Sequence, residues 1–239
     1  MTTARVVIYD ASGDTYLLPP EHAAALTRAA GPANLARTMQ VVALMATVEA
    51  QLIACFHDGS GVPYSAYEDF HRLMAEESEA FFDAALVDAV VPLVADLAER
   101  LVAGIDVADV GCGSGHAVNL LASAFPASRF VGYDFAAEGI ETARSEAHAQ
   151  RLTNAEFVLR DVAEVSESER FDLVTAFDAI HDQAHPATVL AGIADALKPG
   201  GVFLMADIRA SSRLEDNLDH ALHDGVARAR RRWARGGVG

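Results

Sequence analysis

The chain has 239 residues, 51% of them hydrophobic. That is enough for one α/β domain of ordinary size plus an extra segment, and too apolar for a disordered polymer. A net charge of −16 argues against general nucleic-acid binding, no run approaches the ~18 uninterrupted apolar residues of a membrane span, and the first residues lack a signal-peptide pattern. The two cysteines, Cys55 and Cys112, lie far apart and give no disulfide framework, so a reducing cytoplasm is the expected compartment.

In chain order, Arg5–Asp10 and Thr15–Leu18 are short apolar strands flanking the polar turn Ala11-Ser12-Gly13-Asp14, a β-hairpin pattern. Pro19-Pro20-Glu21 opens a helix, with proline tolerated in its first turn. Leu35, Met39, Val42, Met45, Val48, Leu52 and Phe56 recur at three- and four-residue steps and predict one long helix from Asn34 to Phe56. Asp58–Pro63 reads as a loop. Helical pattern resumes from Ser65 to about Val102, where Leu86, Val90, Leu93, Val94, Leu97 and Leu101 make one apolar face.

The next stretch changes period. The apolar run Val107–Val110, which includes Asp109, stops on Gly111, Gly113 and Gly115 and then enters a helical pattern. A strand ending on glycines before a helix N-terminus lets a ligand touch backbone, and the free N–H groups favour an anionic or electron-rich group. The dinucleotide fingerprint G-x-G-x-x-G would put its third glycine at position 116, where this chain has His116. Arg129–Asp134 is a second strand, and its terminal acid lies nineteen residues after Gly115. That is close to the offset at which a carboxylate meets a ribose diol in α/β nucleotide folds. Ala155–Val162 with Asp161, Phe171–Asp178, and Leu197–Asp207 opening on Leu-Lys-Pro-Gly-Gly supply three more strands.

The Asp-Val-Gly-Cys-Gly-Ser-Gly turn and its four ordered partners resemble the class I S-adenosylmethionine-dependent methyltransferases across residues 105–207. The resemblance implies an α/β fold, a Rossmann-like doubly wound sheet, preceded here by the hairpin and helical segment. It implies a cofactor site in which Asp109, Gly111, Cys112, Gly113 and Gly115 form the turn, Asp109 bonding the turn backbone and positioning the cofactor amine. Asp134 would take the ribose. Asp161 would accept from the adenine amino group, the Val162 backbone would read the ring, and Phe177 would close the site from the fourth strand. The implied reaction is methyl transfer from S-adenosyl-L-methionine to a small-molecule acceptor. A non-catalytic binder of the same cofactor, and more remotely an NAD(P)-dependent oxidoreductase, remain as alternatives.

The order of wing, long helix and Gly-Ser-Gly-Val-Pro-Tyr is similar to two-domain actinobacterial-type methyltransferases with an N-terminal winged-helix segment. That similarity implies a homodimerisation and lid segment at residues 1–103. The chain starts at the wing, without the helices that would carry DNA recognition, so neither a nucleic-acid nor a membrane partner is expected. Tyr64, Tyr67 and Phe70 read either as an aromatic lid or as packing between the two units.

On the substrate side, the loop after the fourth strand faces the carboxyl ends of the strands, where ligands sit in doubly wound sheets. His181 there reads either as a general base for an acceptor O–H or N–H, with Asp182 orienting it, or as a hydrogen-bonded residue that shapes the pocket. The His181/His185 spacing lacks an intervening glutamate and meets Pro186, so no metal is expected. The cofactor domain is placed at residues 104–222, with Ser212–Leu222 able to form a helix. The five-arginine segment 223–239 reads as an irregular basic tail with no strand periodicity, so the sheet is expected to lack its last two strands. GC-rich codons for Leu222–Gly239, read one base later, permit a segment resembling the family's, which suggests an out-of-frame tail.

Overall fold

A computed structural model describes residues 1–63, 66–67, 70–164, 167–207, 211 and 213–218. The polar turn folds β1 (Ile8–Asp10) antiparallel onto β2 (Thr15–Leu17), with Tyr9 opposite Tyr16 and their ring centroids 5.0 Å apart. The Asp10 carboxylate tightens the turn by accepting from the Ser12 N–H and hydroxyl. Pro20 then starts α1 (Pro20–Leu26).

The single helix expected from Asn34 to Phe56 is instead two, α2 (Leu35–Thr47) and α3 (Glu49–Asp58), bent by 59°. The Thr47 hydroxyl donates to the Leu44 carbonyl at 2.7 Å, and the Val48 N–H reaches back only to Met45. A hydroxyl that competes for helix carbonyls, followed by a buried β-branched residue, breaks the run there. No single helix among the described residues is long and apolar enough to cross a membrane, and α2 with α3 reaches that composition only as a bent pair.

α4 (Phe70–Ala85) leads through a π-turn at Leu86–Val90 and a 3-10 turn at Val91–Leu93 into α5 (Leu97–Ala103). The apolar face expected along this stretch is therefore split. Leu86, Leu97 and Leu101 are buried, but Leu93 is 76% exposed because the turn at Pro92 swings it outward.

Five parallel strands follow: β3 (Asp106–Val110), β4 (Arg129–Asp134), β5 (Ala155–Leu159), β6 (Phe171–Phe177) and β7 (Leu197–Ala206), ordered β5-β4-β3-β6-β7. α6 (His116–Ala124), α7 (Ala137–Ala149) and α8 (Pro186–Ala196) are the crossovers. Alternate residues feed two cores. Val107, Phe130, Phe157 and Leu173 pack with α5, α6, α7 and Leu86, while Val110, Val131, Tyr133 and Val174 pack with α8. The chain runs outward from β3 to one side and then, after β5, to the other. The strand order thus reverses beside β3, and at such a point in doubly wound sheets the carboxyl ends of the flanking strands, here β3 and β6, form the ligand crevice.

Among the described residues β7 is the outer strand on its side. Beyond it, the region expected to be helical contains a 3-10 turn at Leu214–Asn217. The 223–239 tail and residues 212 and 219–222 of that expected helix lie outside the described residues, as does Tyr64.

Leu97→Ala removes a side chain with no exposure and should lower unfolding stability by about 2–5 kcal/mol in urea denaturation. Leu93→Ala, four residues earlier, should change it by less than about 0.5 kcal/mol. Equal losses would contradict the split face.

Candidate functional site

The turn leaving β3 is sewn to the end of β4. The N–H groups of Gly111 and Cys112 both donate to the Tyr133 carbonyl, at 2.9 and 3.0 Å. The Gly113 N–H donates to Asp134 Oδ2 at 2.8 Å, and the Ala136 N–H donates to Asp134 Oδ1 at 2.8 Å. One carboxylate therefore fixes the glycine turn and the entry to α7. Gly115, at φ +74, sits where a Cβ would collide with Ala143 and with Phe157 of β5, so only glycine lets α6 start this close to the sheet. Gly113, at φ +54, has open space where its side chain would be, and that space is the mouth of the crevice. Cys112 turns its thiol down onto Gly132 of β4, and burial pushes that thiol well above its ordinary range.

α6 begins with Gly115 at its N-cap and no side-chain cap. Its first-turn N–H groups face the same mouth and suit an anionic group. The Arg160 N–H donates to the Asp134 carbonyl at 2.8 Å, which sets Asp161 beside Asp134. Asp161 is exposed and accepts from the Ala163 N–H at 2.9 Å, while the Val162 side chain is buried in the core on the α8 side. All the sequence-predicted cofactor residues thus gather at the carboxyl ends of β3, β4, β5 and β6.

Asp109 takes a partner other than the expected turn backbone. It points into the sheet, 5% exposed, and its partner is the Thr175 hydroxyl of β6, which donates to it at 2.6 Å. Burial pushes the Asp109 carboxyl up to about 7; the Thr175 bond pulls the other way and the Asp134 charge adds to the rise. The sequence signal for Thr175 is a hydroxyl inside an apolar strand, and the register pairs it with Asp109.

His116, the residue that replaces a third glycine, works as a clamp. Its Nδ1 donates to Glu146 of α7 at 2.7 Å and its Nε2 to Asp83 of α4 at 2.9 Å. Carboxylates can only accept here, so both ring nitrogens carry protons. Burial opposes that charge, but the Asp83 and Glu146 carboxylates outweigh it and raise the His116 pKa. The clamp brings α4 over the sheet, where Phe82 meets Phe177 with ring centroids 5.2 Å apart. Tyr67 is half-buried before α4.

At the end of β6 the chain turns through Asp178, whose φ is +50. His181 follows, about one-third exposed, and its Nδ1 lies 2.7 Å from Asp207 Oδ1 at the end of β7. Asp182, expected to orient this ring, is half-exposed, with Oδ1 3.7 Å from Nε2. Asp178, His181 and Asp207 bring one ligand-capable atom each to within 4.8 Å of one another. His185 takes no part and stands at the exposed start of α8. From the sequence Asp207 reads only as the end of the fifth strand, because it reaches the site through the pairing of Phe177 with Ala206.

A family model described as a methyltransferase domain matches residues 101–233, and one described as an Rv2258c-like winged HTH domain matches residues 1–28. Trans-aconitate 2-methyltransferase of Acidovorax sp. (strain JS42) is 31% identical over 117 residues, 49% of this chain and 41% of that protein. Phthiotriol/phenolphthiotriol dimycocerosates methyltransferase of Mycobacterium tuberculosis (strain ATCC 25618 / H37Rv) is 30% identical over 112 residues, 46% and 40% of the two chains. The chain thus spans about two-fifths of the length of these curated relatives. A provisionally assigned O-methyltransferase from Nostoc punctiforme PCC 73102 superposes with a TM-score of 0.67 at 16% identity, covering 99% of this chain and 75% of that one, and so shares the fold.

The raised Asp109 pKa makes stability depend on pH. A carboxyl at about 7 in the folded state and 3.8 otherwise keeps a proton that the unfolded chain releases, so its contribution is full below the lower value and lost as pH rises through about 7. The stability of Asp109→Asn relative to the parent should therefore climb between those limits, by at most about 1.4 kcal/mol per pH unit. Urea denaturation across the range measures it; parallel profiles would refute a protonated Asp109.

Proposed function

The chain belongs to the methyltransferase-domain family, and from that premise we propose that it transfers a methyl group from S-adenosylmethionine to a small-molecule acceptor. The observation that carries this reading is the Asp134 carboxylate, held by the Gly113 and Ala136 N–H groups at the mouth of the glycine turn. Each of its oxygens keeps a second lone pair, which suits a ribose diol. The uncapped start of α6 suits the amino-acid carboxylate of the cofactor, and the Asp109 carboxyl below the turn would offer its amine a hydrogen-bond acceptor rather than a full charge. Exposed Asp161 and the Val162 backbone are the adenine contacts in this reading, Cys112 contributes backbone, and Phe177 forms a wall with Phe82. When bound, the cofactor supplies a methyl group already activated on a sulfonium. His181 is the proposed base, with Asp182 beside its Nε2.

The two curated relatives are named for different acceptors, so only the class is proposed here. We divide the chain functionally into a segment at 1–103 that walls the site, a cofactor domain at 104–222 and a tail at 223–239. A cytoplasmic location is supported by two cysteines that stand free of any disulfide. A homodimer through α2 and α3 is supported by a row of exposed apolar residues, with Met39 63%, Val42 61%, Ile53 54% and Phe56 68% accessible.

Calorimetry should show S-adenosylmethionine and S-adenosylhomocysteine binding, weakened about 10- to 100-fold by Asp134→Asn, as expected for hydrogen bonds to a charged group. Tight NAD binding with no response to S-adenosylhomocysteine would overturn the reading. Binding without methyl release across an acceptor panel would leave a cofactor-binding protein that does not catalyse. In sedimentation the parent should run as a dimer, and Met39→Glu with Phe56→Glu should give monomers; a monomeric parent would refute the α2–α3 interface.

A further inference from the structure

We propose that Asp207 is the positioning residue of a His181–Asp207 dyad that makes Nε2 of His181 a proton acceptor, and hence that the methyl acceptor is a hydroxyl or an amine rather than a carboxylate. The proposal rests on the methyl-transfer reading for its chemistry and on the ends of β6 and β7 for its geometry. Asp207 Oδ1 lies 2.7 Å from Nδ1. An ionised carboxylate can only accept, so Nδ1 holds the hydrogen and donates it. In the neutral ring Nε2 then carries the lone pair. Asp182 stands 3.7 Å from Nε2, too far for a hydrogen bond.

The dyad is not a surface accident of one loop. It joins the two strand ends on the β6 side of the crevice, and the backbone ties them. The Asp178 N–H donates to the Ala206 carbonyl at 2.8 Å, and Phe177 pairs with Ala206. The same loop reaches the glycine turn, because Ala179 occupies the space that a Cβ on Gly111 would need. His181 is two residues beyond Ala179 and about one-third exposed, so it belongs to the loop that abuts the turn and its ring has access to solvent.

Chemistry then selects the acceptor. A carboxylate has no proton to lose at neutral pH and needs no base. A hydroxyl or an ammonium does. In the step inferred here the O–H or N–H bond breaks and its proton becomes the Nε2–H of an imidazolium. The electron pair left on the acceptor forms the bond to the methyl carbon, and the pair of the broken carbon–sulfur bond stays on sulfur. The imidazolium keeps its hydrogen bond to Asp207 and afterwards returns its proton to water.

The test reads the ring directly. Long-range nitrogen–proton NMR on the full chain, with the His181 signals assigned by loss in His181→Gln, should show the neutral ring protonated at Nδ1. Asp207→Asn should populate the Nε2–H form, while Asp182→Asn keeps the parent tautomer. A parent ring protonated at Nε2, or a tautomer indifferent to Asp207→Asn, overturns the dyad. Zinc added to the same sample should leave His181 unmoved at stoichiometric concentration; a shift of the ring signals would make the Asp178, His181 and Asp207 cluster a cation site and overturn the dyad too. With labelled S-adenosylmethionine, resorcinol and tyramine should accept methyl groups and citrate and fumarate should not. Asp207→Asn should cut kcat about 10- to 100-fold at unchanged KM for the cofactor, less than the roughly 10²- to 10⁴-fold that a general base contributes, because the ring itself remains. Turnover of the carboxylates alone overturns the acceptor class. Failure to bind S-adenosylhomocysteine overturns the methyl-transfer reading instead, and the tautomer still reports on the dyad.

Discussion

The structure depends on one carboxylate. Asp134 takes the Gly113 N–H on one oxygen and the Ala136 N–H on the other, so the end of β4 holds the turn after β3 and the approach to α7 together. Without that double bond the three-glycine turn has no side chain of its own to fix it, because glycine loses more conformational freedom on ordering than any other residue. Once the turn is fixed, α6 begins against Phe157 and Ala143 with its first N–H groups aimed at the mouth. The mouth is thus a by-product of closing the turn tightly, and the proposed diol contact would use a carboxylate already placed for structure.

Above this turn sits a second constraint, the charge clamp at His116. The position where a dinucleotide-binding turn has a third glycine instead carries an imidazole that joins α4 to α6 and α7 through Asp83 and Glu146. Glu79 of α4 faces the same cluster, and burial raises its carboxyl pKa. Since the His116 pKa is raised, this ring adds stability below its ordinary value and loses it as pH rises through the folded one. Its consequence for the site is steric: it holds Phe82 against Phe177 and makes the preceding helix a wall of the crevice.

The sheet was legible in the sequence because its strands are buried on both faces. Val107, Phe130 and Leu173 serve one core and Val110, Val131 and Val174 the other, so each strand reads as a short unbroken apolar run ending in glycine or acid. Local rules also placed the hairpin and the turn. They failed where a residue's partner lies elsewhere. The periodicity through Val48 is intact, yet the Thr47 hydroxyl takes a helix carbonyl and the helix breaks. Asp109 reads as a turn ligand from its spacing, but the register gives it Thr175. Asp182 is adjacent to His181 in sequence and yet loses the ring to Asp207, which is 26 residues away.

These failures divide the site unevenly. The half built from β3, β4 and β5 is made of consecutive strand ends and a turn, so its chemistry is written in short motifs. The half proposed to face an acceptor is assembled from β6, β7 and α4, whose relation is set by register and by the His116 clamp rather than by spacing. A relative can therefore share the first half while differing in the second. Overlap with about two-fifths of each curated relative is compatible with proteins named for unlike acceptors. On that side Phe82 meets Phe177 and His181 meets Asp207, pairs of residues from separate elements that no single motif spans.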